Sequence, residues 1–259
     1  MMTPAEILEA TIHHGEHKIQ KTLIEKAILG FVGGAMISLG YLLYIRVISS
    51  VVGELGTLAS LIGASVFPIG LIVILLAGGE LITGNMMAVS IAFFAKKVRF
   101  VELLKNWIVI TIFNLIGAIC IAYFFGHIVG LLDGEPFHHE TIAIAYVKIN
   151  QTFGQALISG IGCNWFVGLA LWLSYGAKDA AGKVLCIWFP VMAFVAIGFQ
   201  HSVANAFVIP AAIFAGGATW GQFIWNFVPV YLGNIVGGMF FVGAFYYLAY
   251  RGSLKADEI

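Results

Sequence analysis

From Ala27 onward the chain runs in six apolar stretches, 27–52, 58–94, 105–132, 154–176, 184–215 and 222–250, separated by short polar connections. A helix of about 20 residues crosses about 30 Å of hydrocarbon, so most of these stretches predict a membrane span. The second and fifth are too long for one plain span. Each is interrupted by glycine and polar residues, at Gly78-Gly79-Glu80-Leu81-Ile82-Thr83-Gly84-Asn85 and at Gly198-Phe199-Gln200-His201-Ser202-Val203-Ala204-Asn205, which predicts broken helices. Ahead of the spans, Ile7, Leu8, Thr11, Ile12 and Ile19 recur at helical spacing beside Glu6, Glu9, Glu16 and Lys18. That spacing predicts an amphipathic helix near the membrane surface, started by Thr3-Pro4. The expected organisation is an N-terminal cytoplasmic segment (1–26), a six-helix channel domain (27–250) and a short cytoplasmic tail (251–259).

Composition agrees with a polytopic membrane protein: 61% of residues are hydrophobic, 10% are charged and mean hydropathy is +0.98. A water-soluble globule needs about 25% charged residues to cover its surface. The same figures, with dispersed Gly and Pro, exclude disorder and collagen-like repeats. A net charge of zero gives no basic face for nucleic acid. Cys120, Cys163 and Cys186 lie at unrelated spacings inside apolar runs, which suits buried thiols better than disulfides or a metal cage. No cleavable signal is apparent in the mixed-charge N-terminal segment. With the N-terminus inside, eleven Lys and Arg residues face the cytoplasm and two, Arg46 and Lys148, face outward. That asymmetry places both termini in the cytoplasm.

The two halves repeat. An offset of 120 residues aligns Gly78 with Gly198, Asn85 with Asn205, Asn106 with Asn226, Asn114 with Asn234 and Gly117 with Gly237, and Phe67-Pro68 pairs with Phe189-Pro190 after a two-residue shift. Three spans per half, in inverted repeats of about 27–132 and 154–250, force the halves to insert in opposite directions. Backbone that leaves the helix within a bilayer must line a cavity or be buried in protein, so the breaks are expected to meet at a pore. Half-helices restarting near Thr83 and Ser202 would aim about half a positive charge each at that meeting point, which favours an anion.

His201 sits at the second break, where an ionisable group at membrane depth is by default functional. Its imidazole can donate a hydrogen bond to an oxyanion or, if protonated, a proton. Thr83 offers a hydroxyl at the first break and also reads as a cap for the half-helix that follows. Glu80 in an anion path would repel the ion, so it reads as a structural acceptor for the backbone of the first break. Lys148 reads either as a solvated loop lysine or as an electrostatic lure at the outer mouth. Asn164 and Asn205 offer amide donors to an ion or, as Asn between packed helices often does, bond neighbouring helices, a role that Asn106, Asn114, Asn226 and Asn234 fit better. Phe67, Leu71 and Phe194 either pack or close the pore to hydrated ions. The His138-His139 pair is a poor metal site, because adjacent side chains rarely converge and no third ligand is evident; no metal or other cofactor is expected.

Gly79-Glu80-Leu81-Ile82-Thr83, Lys105-Asn106-Trp107, Asn114-Leu115-Ile116-Gly117, Gly162-Cys163-Asn164-Trp165, Lys178-Asp179-Ala180-Ala181-Gly182-Lys183 and the Phe-x-His-Ser-x-Ala-Asn segment around His201 together resemble the formate/nitrite transporter family. The resemblance covers nearly the whole chain. It implies an aquaporin-like all-α protomer of six spans, a homopentamer with one pore per subunit in the inner or plasma membrane, and passage of small monovalent weak-acid anions such as formate, nitrite or hydrosulfide, often coupled to a proton through the central histidine. It assigns Thr83 to the loop of the broken second span, His201 to the central histidine, Lys148 to the outer vestibule and Asn164 and Asn205 to the pore. Leu71 and Phe194 match constriction residues, with Phe67 and Leu81 nearby. Many members carry Glu where this chain has Gln200, which removes an acidic partner from His201. The alternatives are a neutral-solute facilitator, whose familiar Asn-Pro-Ala pair is replaced in this chain by Thr83-Gly84-Asn85 and Val203-Ala204-Asn205, and a membrane-embedded enzyme, for which His201 has no second base.

Overall fold

The computed structural model describes residues 1–254, except for the side chain of Val52; the rest of the expected tail, including Lys255, lies outside the described residues. Helix α1, Pro4–Gln20, starts at a capping box in which Thr3 and Glu6 bond each other's backbone amides. The same device, Thr22 with Glu25, opens α2, Leu23–Ile48. Helix α3, Thr57–Ala77, bends at Phe67-Pro68 and ends at Gly78, whose φ of 105° stops the helix where a side chain would be strained. After four non-helical residues, 78–81, α4 runs over Ile82–Phe94.

Helix α5, Phe100–Ile128, ends in a π-helical stretch from Ala122, and α6, Phe137–Ile149, lies within the long connection to the second half. Helix α7, Phe153–Gly176, opens with a Thr152–Gln155 box. Helix α8, Ala180–Ile197, is capped by Asp179 and terminated by Gly198 at φ 89°. Helix α9, Ser202–Phe214, follows the second break, and α10, Trp220–Ser253, carries π geometry over Val236–Ala244.

Six of these helices, α2, α3, α5, α7, α8 and α10, are long and apolar enough to span a membrane. The molecule is an all-helical, multi-pass membrane protein. The short helices α4 and α9 are buried along nearly their whole length, Ile82 to Ala92 and Ser202 to Ala212, at its centre. Large apolar side chains on the long helices, such as Ile108, Ile158, Phe189 and Leu248, are exposed. That distribution suits a protein whose outside is lipid or another subunit.

The repeat read from sequence reappears in the packing. Helix α4 packs on α1, α5 and α10, while α9 packs on α6, α10 and α5. Close approach is set by paired glycines: a Cβ on Gly117 would lie 2.2 Å from the Phe31 carbonyl oxygen, and one on Gly237 would lie 2.3 Å from that of Ile161. Helix α1 buries the apolar face that the sequence pattern marks. Its apolar face is not turned to lipid: Ile7, Leu8, Thr11 and Ile12 are buried, and Gly15 sits against the Ala88 carbonyl of α4. The amphipathic pattern was legible, but that protein covers the apolar side was not.

Candidate functional site

Two asparagines hold the breaks open in the same way. Asn114 Oδ1 accepts from the Ile82 amide at 2.9 Å, while its Nδ2 donates to the Gly30 and Glu80 carbonyls at 2.6 and 2.8 Å. Asn234 Oδ1 accepts from the Ser202 amide at 2.9 Å, and its Nδ2 donates to the Gly160 and Gln200 carbonyls at 2.8 and 3.2 Å. The backbone freed at each break is thereby satisfied from a neighbouring helix, as a water-poor interior demands.

The two half-helix N-termini meet through side chains. His201 Nε2 lies 2.9 Å from Thr83 Oγ1, and His201 Nδ1 lies 3.1 Å from the Ala204 amide. An amide can only donate, so Nδ1 accepts and the ring proton sits on Nε2, pointing at the Thr83 oxygen. His201 is therefore the N-cap of α9. Thr83 caps nothing: the N-cap of α4 is Leu81, and its first amide belongs to Asn114. The amides of Ile82, Ser202 and Ala204 are closed to an ion, so these helix ends act on one through their partial charge.

Around this contact lie three cavities. One of about 320 Å³, on the side that the Lys and Arg distribution leads one to expect outward and so called outer, is lined by Lys148, Tyr41, Tyr44, Gln151, Gln200 and His201, among others. One of about 210 Å³ on the opposite, inner side is lined by Lys18, Lys21, His17, Gly79, Glu80 and Tyr175, among others. Between them a chamber of about 10 Å³ is walled by Phe67, Leu71, Leu81, Phe194, Val191 and His201, with Ile37 and Val167. Phe67 and Phe194 meet edge to face with ring centroids 6.0 Å apart, and Phe194 stacks on His201 at 6.1 Å. A chamber of that volume holds about one water.

Lys148, from α6, reaches into the outer cavity, and burial pushes its ammonium down to about 8, with Cys163 a weaker opposing influence. The structure thus brings His201, Lys148, Phe67, Leu71, Leu81 and Phe194 onto one path. Thr83 stands directly behind the imidazole. Asn164 and Asn205 are placed differently from the expectation, lining none of the three cavities. Asn164 Nδ2 donates to the Asn234 and Thr83 carbonyls at 2.6 and 3.1 Å, and Asn205 Nδ2 donates to Gln200 and Asn226 side chains at 2.6 and 2.8 Å. Their donors are spent on holding the half-helices.

Glu80 is also a correction. Its carboxylate takes side chains, not the break backbone: Lys18 at 2.9 Å, Lys21 at 3.3 Å and Asn85 at 2.9 Å. Sequence reading missed this inner cluster, although a second offset, of 130 residues, pairs Lys18 with Lys148, Lys21 with Gln151 and Thr22 with Thr152. The offset falls by ten because the first half is longer in α2 (26 against 24 residues), in the α2–α3 connection (eight against three) and in α3 (21 against 18). The paired bonds are Asn106 Nδ2 to the Lys18 carbonyl at 3.3 Å and Asn226 Nδ2 to the Lys148 carbonyl at 2.9 Å.

Two buried half-helices joined at an imidazole, with a narrow apolar neck between two lysine-lined cavities, define a membrane channel or transporter. The profile described as "Formate/nitrite transporter" matches residues 5–248, and the chain belongs to the formate/nitrite transporter family. It is 61% identical over 248 residues to the "Uncharacterized transporter YrhG" of Bacillus subtilis (strain 168), covering 96% of this chain and 93% of that one. It is 52% identical over 248 residues to the "Formate channel BtFdhC" of Bacillus thuringiensis, covering 96% and 95%. A solved structure described as "Pentameric formate channel with formate bound" superposes with a TM-score of 0.77 at 30% identity, covering 88% of this chain and 98% of the other.

Proposed function

We propose that this chain is a channel for formate and similar small monovalent anions, assembled as a homopentamer with one pore per subunit. It carries ions without converting them. The reading rests on one observation above all, the Thr83–His201 contact that joins two half-helix ends at the neck. Both termini lie in the cytoplasm of a plasma-membrane protein whose halves insert in opposite directions, which follows from the Lys and Arg distribution and the odd number of spans per half.

An anion gathers at Lys148, then passes the Phe67–Phe194 pair with most of its hydration removed. In the neck it meets His201, whose Nε2–H turns from Thr83 to the ion. Thr83 then holds a free hydroxyl, which can donate in its turn. Neither step needs a net proton: with Nδ1 committed to Ala204, giving up the Nε2 proton would leave an imidazolate. The positive half-helix ends lower the cost of negative charge in this apolar section. Leu71 and Leu81 close the inner side of the neck, while Asn164 and Asn205 fix the geometry around it.

Formate influx into proteoliposomes tests this reading. The wild-type chain is expected to raise formate flux well above glycerol flux, with nitrite and hydrosulfide competing. His201→Ala is expected to lose most of it, and equal flux in that variant removes the assigned role.

A further inference from the structure

The two mouths of the pore are built on one plan but finished with different chemistry. Inside, Lys18 and Lys21 close on Glu80 at 2.9 and 3.3 Å, and Glu80 leans on Asn85. Outside, the corresponding positions hold Lys148, Gln151 and Gln200, and Gln200 Nε2 donates to Gln151 Oε1 while its Oε1 accepts from Asn205 at 2.6 Å and Asn226 at 2.9 Å. An amide pair thus occupies the place of the inner ion pair. Among the described residues the Lys148 ammonium makes no hydrogen bond or ion pair; it lies 5.9 Å from the centre of the Tyr41 ring. Both clusters carry one net positive charge, two lysines with one carboxylate inside and one lysine with two amides outside. Within the two clusters the net charge is therefore equal, and the difference between them lies in which ammonium is open to contact.

We propose that Gln200 makes the pore two-faced: the outer cavity holds one monovalent anion as the counter-ion of Lys148, whereas the inner lysines, already paired with Glu80, hold the passing ion weakly. An ammonium partly buried without a partner is costly, and a small carboxylate or nitrite restores the partner it lacks. The inner mouth shows what an acid at the equivalent position does, because Glu80 captures two lysines there. An acid at position 200 is expected to capture Lys148 in the same way and evict the ion. The inference rests on the transport reading and deepens it.

Right-side-out and inside-out vesicles carrying the full chain, with labelled formate as the probe, give the half-saturating concentration from each side. The expected result is a value about tenfold lower from the Lys148 side, raised about tenfold by Gln200→Glu with no change from the other side. Should that variant fail to fold, Gln151→Glu places an acid on the same wall and is expected to act likewise. Equal half-saturation from both sides in the wild type, or no response to either acid, overturns the inference while leaving transport intact. Absence of formate flux in every vesicle removes the transport reading instead. Calorimetric titration of formate into the detergent-solubilised chain then still decides: one ion per chain, weakened by Gln200→Glu, upholds the outer site, and no binding ends it.

Discussion

Thr83 and His201, 118 residues apart in sequence, share a single hydrogen bond of 2.9 Å at the centre of the protein. Because the Ala204 amide occupies the other ring nitrogen, Thr83 is the resting partner of the ring's only proton. Replacing Thr83 by Val strands that buried N–H and is expected to lower stability by about 1–3 kcal/mol. Thr83→Ser keeps the oxygen and is expected to stay close to wild type. Thermal unfolding of the two variants in detergent checks the contrast; equal melting temperatures contradict it.

External pH is expected to control capture through Lys148. Burial places its ammonium at about 8, so the charge is present below that pH and is lost as pH rises through it. Tyr41, Tyr44 and His201 share the cavity wall, Cys163 lies nearby, and none supplies a replacement cation at high pH. Formate uptake at low concentration should therefore fall between external pH 7 and 9 by more than at saturation. Lys148→Met should flatten that profile, and a persisting slope would assign it to another group.

The helix crossings tolerate no added methyl group. Gly117→Ala and Gly237→Ala would each press a Cβ to 2.2 or 2.3 Å from a carbonyl oxygen of the facing helix, where only a backbone shift gives relief. A cost of about 1–3 kcal/mol or more is expected for each. Gly53 has open space around its Cα, so Gly53→Ala serves as a control within about 0.5 kcal/mol of wild type. Yields of folded protein and melting temperatures measure the series.

Shortening Leu71 or Phe194 should open the neck. Leu71→Ala removes a side chain from a chamber of about 10 Å³. Chloride current across planar bilayers, low in the wild type, is expected to rise in Leu71→Ala and in Phe194→Ala. No change in either would place the barrier elsewhere.

The spans, the two breaks and the residues at the neck were legible because membrane depth makes polar and glycine residues conspicuous in an apolar run. His201, Thr83 and Lys148 stand out for that reason. The inner cluster was hidden because Lys18 and Lys21 sit in an ordinary-looking charged segment, and their role appears only when α1 folds back onto the first break. The receiver of the Asn164 and Asn205 amides was less legible. An amide at membrane depth advertises a donor, but sequence does not say whether an ion, a backbone carbonyl, as for Asn164, or a side-chain oxygen, as for Asn205, receives it.

The neck between the cavities also separates them. The chamber has room for about one water molecule and is walled by phenylalanine, leucine, isoleucine and valine around the His201 imidazole, so it holds no continuous file of water. In this conformation a hydrated ion has no passage, and the two cavities are separate compartments whose water does not mix through the pore.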